Sequence, residues 1–237
     1  MKKIMIVNTS HHQFENNKKQ TGLWLGELVH FYDYFNREGY TIDMFNINGG
    51  DTPIDPDPVS LNKLMLDRAT QTYYEDAHFM DLLKNAQPIT HANPQMYDPI
   101  YFTGGHGVMY DFPDNDAIQN AVNEIYNHGG IVAAVCHGVT ALLNVKNNDG
   151  RYFVDSKQLT GFSNLEEVLA NRKKIVPFML QSELEKRGAK YSKAKWPFRP
   201  YIQIDERLVT GQNPQSPKHV AQAVDELLQQ NKTTIQA

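Results

Sequence analysis

The chain has 237 residues, 41% of them hydrophobic and 21% charged, with a formal net charge of −4 at pH 7 and a single cysteine. That length and apolar content suffice for one full core, and an acidic balance without a large Lys/Arg cluster excludes a nucleic-acid-binding field; the short basic run Arg172 to Lys174 reads as a solvated face. No stretch approaches the roughly 20 apolar residues of a membrane span, and the lone cysteine excludes intrachain disulfides and fits a reducing, cytoplasmic compartment.

Taken in chain order, Met1-Lys2-Lys3 leads directly into the apolar run Lys3 to Asn8, which predicts a buried parallel strand rather than a signal peptide. A polar loop, 9 to 21, follows at the strand end where α/β sheets bind ligands. Leu23, Leu25, Leu28, Val29, Tyr32 and Phe35 predict an amphipathic helix over Gly22 to Glu38, stopped by Gly39, and Tyr40 to Phe45 reads as the second strand. Residues 48 to 58 are rich in Gly, Asp and Pro. Helices are expected over Leu61 to Arg68 and Tyr73 to Lys84, and 48 to 95 is read as an inserted helical cap within one domain spanning 1 to 237. Tyr73, Tyr74, Phe79 and Met80 at helical spacing fit either a core or an exposed apolar surface.

The sheet resumes at Pro99 to Phe102 and stops at Thr103-Gly104-Gly105-His106-Gly107. A helix, Asn115 to Asn127, ends at Gly129-Gly130, and Ile131 to Val135 forms the next strand. Helix-compatible Val139 to Asn144 follows the turn Cys136-His137-Gly138. Beyond it are expected a short strand at Gln158 to Thr160, helices beginning at Glu166 and at Pro177, strands at Tyr201 to Ile204 and Leu208 to Thr210, a helix over Val220 to Leu228, and a frayed tail at 231 to 237. This alternation predicts an α/β fold with a mainly parallel central sheet sandwiched by helices.

Chemistry concentrates at Cys136. A thiol at a strand-to-helix turn has the geometry of a nucleophile elbow, and a helix N-terminus favours the thiolate. The competing reading is a small buried hydrophobe. His137 can serve through its ring, through its backbone N–H, or only as a residue satisfied by the turn. Gly104 and Gly105 let the backbone approach a developing oxyanion, or simply turn the chain. Glu27, among apolar neighbours, is either exposed or buried; if buried, its pKa rises and it becomes a neutral acid. Glu166 and Glu167 either complement a helix dipole or reach the site. His11, His12, His78, His91 and His106 show no recognised metal spacing, so no metal is assigned.

Five ordered motifs carry a family resemblance: T-G-L-W-L-G-E at 21 to 27, T-G-G-H-G at 103 to 107, A-A-V-C-H-G at 133 to 138, G-F-S-N-L-E-E at 161 to 167 and L-V-T-G-Q-N-P at 208 to 214. Together they resemble the DJ-1/PfpI superfamily over nearly the whole chain, most closely its heat-shock-protein-31-like branch, described as glutathione-independent glyoxalase III and as a stress chaperone. The resemblance implies a flavodoxin-like three-layer sandwich, often a homodimer. It carries over Cys136 as nucleophile, His137 as its partner, Glu167 as the third active-site position, Glu27 as the acid bonded to the cysteine, and Gly105 with the residue after the cysteine as oxyanion donors. It further implies cofactor-free conversion of a small 2-oxoaldehyde such as methylglyoxal to lactate. The alternatives within the superfamily are a holdase acting on unfolded proteins and a cysteine-dependent amidase, peptidase or protein deglycase. Val139 departs from the proline of related chains, and 48 to 95 diverges freely.

Overall fold

A strand buried on both faces of a parallel sheet must be apolar throughout, and β1 (Lys3–Asn8) meets this demand, its last five residues being wholly inside the protein. The structure is a computed structural model that describes residues 3–57 and 66–236. Around β1 are β2 (Ile42–Asn46), β3 (Gln87–Pro88), β4 (Tyr97–Phe102), β5 (Val132–Val135), β8 (Ile202–Asp205) and β9 (Leu208–Gly211), in the order β3-β2-β1-β4-β5-β9-β8. Every pairing is parallel except β8 with β9. A separate two-stranded ribbon joins β6 (Gln158–Leu159) to β7 (Lys190–Tyr191).

Register aligns the strand ends: Val7 opposes Phe102, Phe102 opposes Ala134, and Val135 opposes Gly211. The loops after β1, β4, β5 and β9 therefore collect at one edge of the sheet.

The helices α1 (Leu25–Arg37), α2 (Arg68–Glu75), α3 (Ala77–Lys84), α4 (Val108–Asp111), α5 (Asp116–Asn127), α6 (Asn164–Leu169), α7 (Leu180–Lys186) and α8 (Pro217–Gln236) flank the sheet and complete the expected α/β sandwich. Helices α1 and α8 pack on each other, while α5 packs on β4 and β5. Phe31 of α1 stacks on Tyr101 of β4 with ring centroids 3.7 Å apart, and the Tyr101 hydroxyl donates to the Glu27 carbonyl oxygen at 2.9 Å. This contact fixes the first turn of α1 against the sheet.

Several elements differ from the sequence expectation. Helix α1 starts at Leu25 because the preceding residues are extended: Leu23 N–H donates to the Pro53 carbonyl and Asp55 N–H to the Leu23 carbonyl, at 2.7 and 2.8 Å. Of the helix expected at 61 to 68, residues 61–65 lie outside the described residues. The second expected helix is two, since the Asp76 side chain accepts from Phe79 N–H at 2.8 Å and starts α3 afresh. Both α2 and α3 belong to the flank of α1: the Tyr73 hydroxyl donates to Asp33 at 3.0 Å, and buried Phe79 lies edge-on to Tyr32. α8 runs to Gln236 through the stretch expected to fray.

The Phe31–Tyr101 stack predicts that Phe31→Ala, read by urea denaturation, lowers stability by about 3–5 kcal/mol with an unchanged m-value.

Candidate active site

Cys136 leaves the end of β5 with φ = +56°, a left-handed conformation that a side chain other than glycine adopts only under constraint. The constraint is tertiary. Its carbonyl accepts from Phe162 N–H at 3.3 Å, and two residues on, a Cβ on Gly138 would lie 2.5 Å from the carbonyl oxygens of both Phe102 and Thr103. The chain between is a buried 3₁₀ helix, Cys136–Leu142, in place of the expected α-helix. One consequence corrects the sequence reading of the thiol. A short 3₁₀ turn aligns few peptide dipoles, while burial and the neighbouring Glu27 carboxyl push the Cys136 thiol up, opposed by the His137 backbone N–H.

Glu27, in the first turn of α1, is fully buried, which decides between its two readings. Its polar neighbours are the Cys136 thiol and the Gly104 N–H, and among the described residues neither carboxyl oxygen has a well-aligned hydrogen-bond partner. A Cβ on Gly104 would stand 2.4 Å from Glu27 Oε2 and 3.0 Å from Cys136 Cβ, so only glycine lets carboxyl and cysteine meet there. Burial raises the Glu27 pKa to about 8, against smaller lowerings by the adjacent Cys136 thiol and Gly104 N–H. The group is therefore largely a neutral acid at pH 7. With Glu27 protonated, its repulsion of a thiolate vanishes and its O–H can donate to sulfur, so the two groups titrate as a pair.

On the other side of the sulfur, His137 Nδ1 lies 3.3 Å from Cys136 Sγ, and His137 Nε2 lies 2.7 Å from Glu167 Oε2. The second Glu167 oxygen, Oε1, lies 2.9 Å from His106 Nε2. Burial and His106 lower the His137 pKa against the pull of Glu167. Burial opposes ionisation of Glu167, yet the two imidazoles hold it well below the usual carboxylate range. The consistent assignment is an ionised Glu167 accepting from Nε2–H of both imidazoles, with His137 neutral. His137 then carries its proton on Nε2, leaving Nδ1 as the acceptor that faces the thiol.

Helix α6 delivers Glu167 through a capping box in which the Ser163 hydroxyl and Glu166 bond each other's backbone N–H groups. Glu166 does more than complement a dipole: it also accepts from Phe198 N–H, Gln212 Nε2 and Asn213 Nδ2 at 2.8 to 2.9 Å, tying the loop before β8 and the loop after β9 to α6.

Cys136, His137, Glu27 and His106 line a cavity of about 190 Å³ together with Gly105, Trp24, Phe162 and Phe198. Gly105 has φ = +102°, and a Cβ on it would lie 2.1 Å from the Gly22 carbonyl oxygen, so the 103–107 turn is pressed against the lead-in to α1. Of the described residues in 48–95, Asp55 and Asp57 reach this cavity. Arg172, expected on a solvated face, is instead in the cavity wall and ion-paired with Asp57.

The sequence-derived set Cys136, His137, Glu27, Glu167, Gly104 and Gly105 thus converges on one place. His106 was not among the expected site residues; the T-G-G-H-G motif contained it, but nothing along the sequence tied it to Glu167. Among the described residues, His106, His137 and Glu167 are also the group spaced to hold a metal ion, with donor atoms within 4.8 Å of one another. Here the Nε2 of each imidazole is engaged by its own oxygen of Glu167.

The model of the DJ-1/PfpI family matches residues 22–227. The chain belongs to the DJ-1/PfpI family. Within it, the chain is 28% identical to glyoxalase 3 of Candida albicans over 94% of this chain and 97% of that protein. It is 30% identical to the glutathione-independent glyoxalase HSP31 of Saccharomyces cerevisiae, over 91% and 93% of the two. Among solved structures, the Rapid Encystment Protein 24 KDa of Francisella tularensis is similar with a TM-score of 0.91 at 40% identity, covering 96% of this chain and 99% of that one.

For this DJ-1/PfpI chain the buried Glu27 has a thermodynamic signature. Between its ordinary pKa of 4.5 and the folded value of about 8, the unfolded state releases a proton that the folded state keeps, so this group makes stability fall as pH rises through that window. Urea denaturation of wild type and Glu27→Gln across pH 5 to 8 is expected to show the variant gaining on wild type with rising pH, by up to about 1.4 kcal/mol per pH unit.

Proposed function

We propose that this protein converts methylglyoxal and similar small 2-oxoaldehydes to 2-hydroxy acids by cysteine chemistry, without glutathione or a nicotinamide. The carrying observation is one sulfur between a neutral carboxyl and an imidazole whose free nitrogen faces it, inside a cavity scaled to a few heavy atoms. The relatives named glyoxalase 3 and glutathione-independent glyoxalase HSP31 support the same reading.

His137 Nδ1 takes the thiol proton as Sγ adds to the aldehyde carbon, and ionised Glu167 stabilises the imidazolium. The imidazolium returns the proton to the new alkoxide oxygen, giving a hemithioacetal, with the backbone at Gly105 and His137 supplying oxyanion donors. Removal of the proton on the former aldehyde carbon gives an enediol, and protonation of the neighbouring carbon leaves a 2-hydroxyacyl thioester. Glu27 and His137, flanking the sulfur, carry this transfer. Glu167, with each oxygen held by an imidazole, orients His137 and is not the proton carrier. Water then hydrolyses the thioester to lactate and restores the thiol. Oxidation of one carbon balances reduction of the next, so no external redox partner enters.

The chain acts in this reading as a single domain, in the cytoplasm, as a homodimer. A holdase activity on unfolded proteins is the second reading, favoured by the exposed Leu165, Val168 and Leu169 of α6 and by Trp196. Tyr73 and Phe79 support it less, since both pack against α1. The same thiol could also acylate on amides or peptides, for which the small cavity leaves little room.

Cys136→Ala is expected to reduce lactate formation from methylglyoxal by roughly 10³-fold or more, and unchanged turnover rejects the mechanism. Because the neutral form of Glu27 is the working one, wild-type kcat/KM should decline as pH rises through about 8. A pH–rate profile lacking that decline in wild type, or retaining it in Glu27→Gln, contradicts the role of Glu27.

A further inference from the structure

The geometry points to His106 as a positioning residue for this chemistry: it fixes the second oxygen of Glu167, and so holds His137 in the orientation and tautomer that present Nδ1 to the Cys136 thiol. This inference rests on the glyoxalase reading and adds a residue to it.

A carboxylate held through one oxygen only can swing about its terminal torsion. Glu167 cannot, because Oε2 accepts from His137 Nε2 at 2.7 Å while Oε1 accepts from His106 Nε2 at 2.9 Å. Glu167 is 2% exposed, and without His106 the buried Oε1 oxygen loses the donor that holds it. Swinging Oε1 towards the single remaining donor would pull His137 with it and lengthen the contact from Nδ1 to sulfur.

The imidazole of His106 is itself fixed. Its ring centroid lies 4.2 Å from that of His137 at 41°, 5.4 Å from Phe14 and 6.3 Å from Phe162. Phe162 in turn lies 4.5 Å from His137. The two imidazoles therefore share an aromatic slot, with both Nε2 atoms converging on one carboxylate. The titratable groups facing His106 are Glu167 on α6, His137 after β5 and, from the loop after β2, Asp55, whose carboxyl senses the His106 ring. Among the described residues, only Glu167 is within hydrogen-bond distance of its Nε2.

His106 is also covalently placed by the turn that serves the nucleophile. Gly104 makes room for Glu27 beside Cys136, Gly105 lines the cavity, and His106 follows at once. One turn after β4 thus sets the acid on one side of the sulfur and braces the base on the other.

The test compares wild type, His106→Ala and His106→Gln with methylglyoxal as substrate, after circular dichroism and urea denaturation establish that each variant folds. His106→Ala is expected to lower kcat about tenfold or more while KM changes by less than about threefold, and to move the acid limb of the pH–rate profile to higher pH as Glu167, with one donor fewer, raises the pKa of the His137 base. His106→Gln, whose amide N–H can reach the same oxygen, should recover a substantial part of kcat and return the limb towards wild type. A pH profile for His106→Ala that superimposes on wild type, a loss carried by KM, or equal loss in both variants overturns the inference. Wild type that forms no lactate overturns the underlying glyoxalase reading instead. Should His106→Ala not fold, the Gln variant alone decides, since its profile must then coincide with that of wild type within about twofold in kcat.

Discussion

The site depends on the way the chain is forced to turn at Cys136. A parallel strand buried on both faces delivers the residue to the sheet edge, and the backbone there takes φ = +56° while Gly138 presses on the end of β4. The turn is short, so His137 stays beside the sulfur with Nδ1 at 3.3 Å, and the Cys136 carbonyl holds the strand of chain that leads into α6. Because the strands end in register, the turn after β4 and the first turn of α1 meet the same sulfur from the other side. Packing that looks structural, such as Phe31 on Tyr101, thereby sets the position of a reacting group.

Two glutamates of the same chemistry are held in opposite states by their surroundings. Glu27 has a thiol and one backbone N–H as its polar neighbours, and burial keeps it protonated to about pH 8. Glu167 is nearly as buried, but two imidazole donors keep it ionised. Pairs of carboxyl groups driven apart in this way divide acid and base duties at neutral pH. The ionised member lends basicity to His137, and the neutral member stands beside the sulfur without repelling a thiolate.

Much of this was legible in the sequence, and the boundary of legibility is physical. Long apolar or amphipathic segments such as β1, α1, β5 and α5 declare themselves through periodicity, and the cysteine motif marked its own turn. The two residues of β3 have no period to read, and the 3₁₀ form of Cys136–Leu142 is imposed by a backbone contact across strands. Pattern along the chain also could not decide whether Glu27 was buried, because that is settled by what covers α1. The same limit hid His106 and Arg172. The partner of His106 is 61 residues distant, and that of Arg172 is 115 residues distant, so spacing along the chain carries no sign of the one and a basic run disguises the other.

The central claim is that a protonated carboxyl sits against the Cys136 thiol at neutral pH, and infrared difference spectroscopy of wild type against Glu27→Gln reads it directly. The account predicts a carboxylic-acid C=O band in wild type at pH 7 that is missing from the variant and gives way to carboxylate bands with a midpoint near pH 8. Carboxylate bands assigned to Glu27 at pH 7, with titration close to the ordinary value of 4.5, would contradict it.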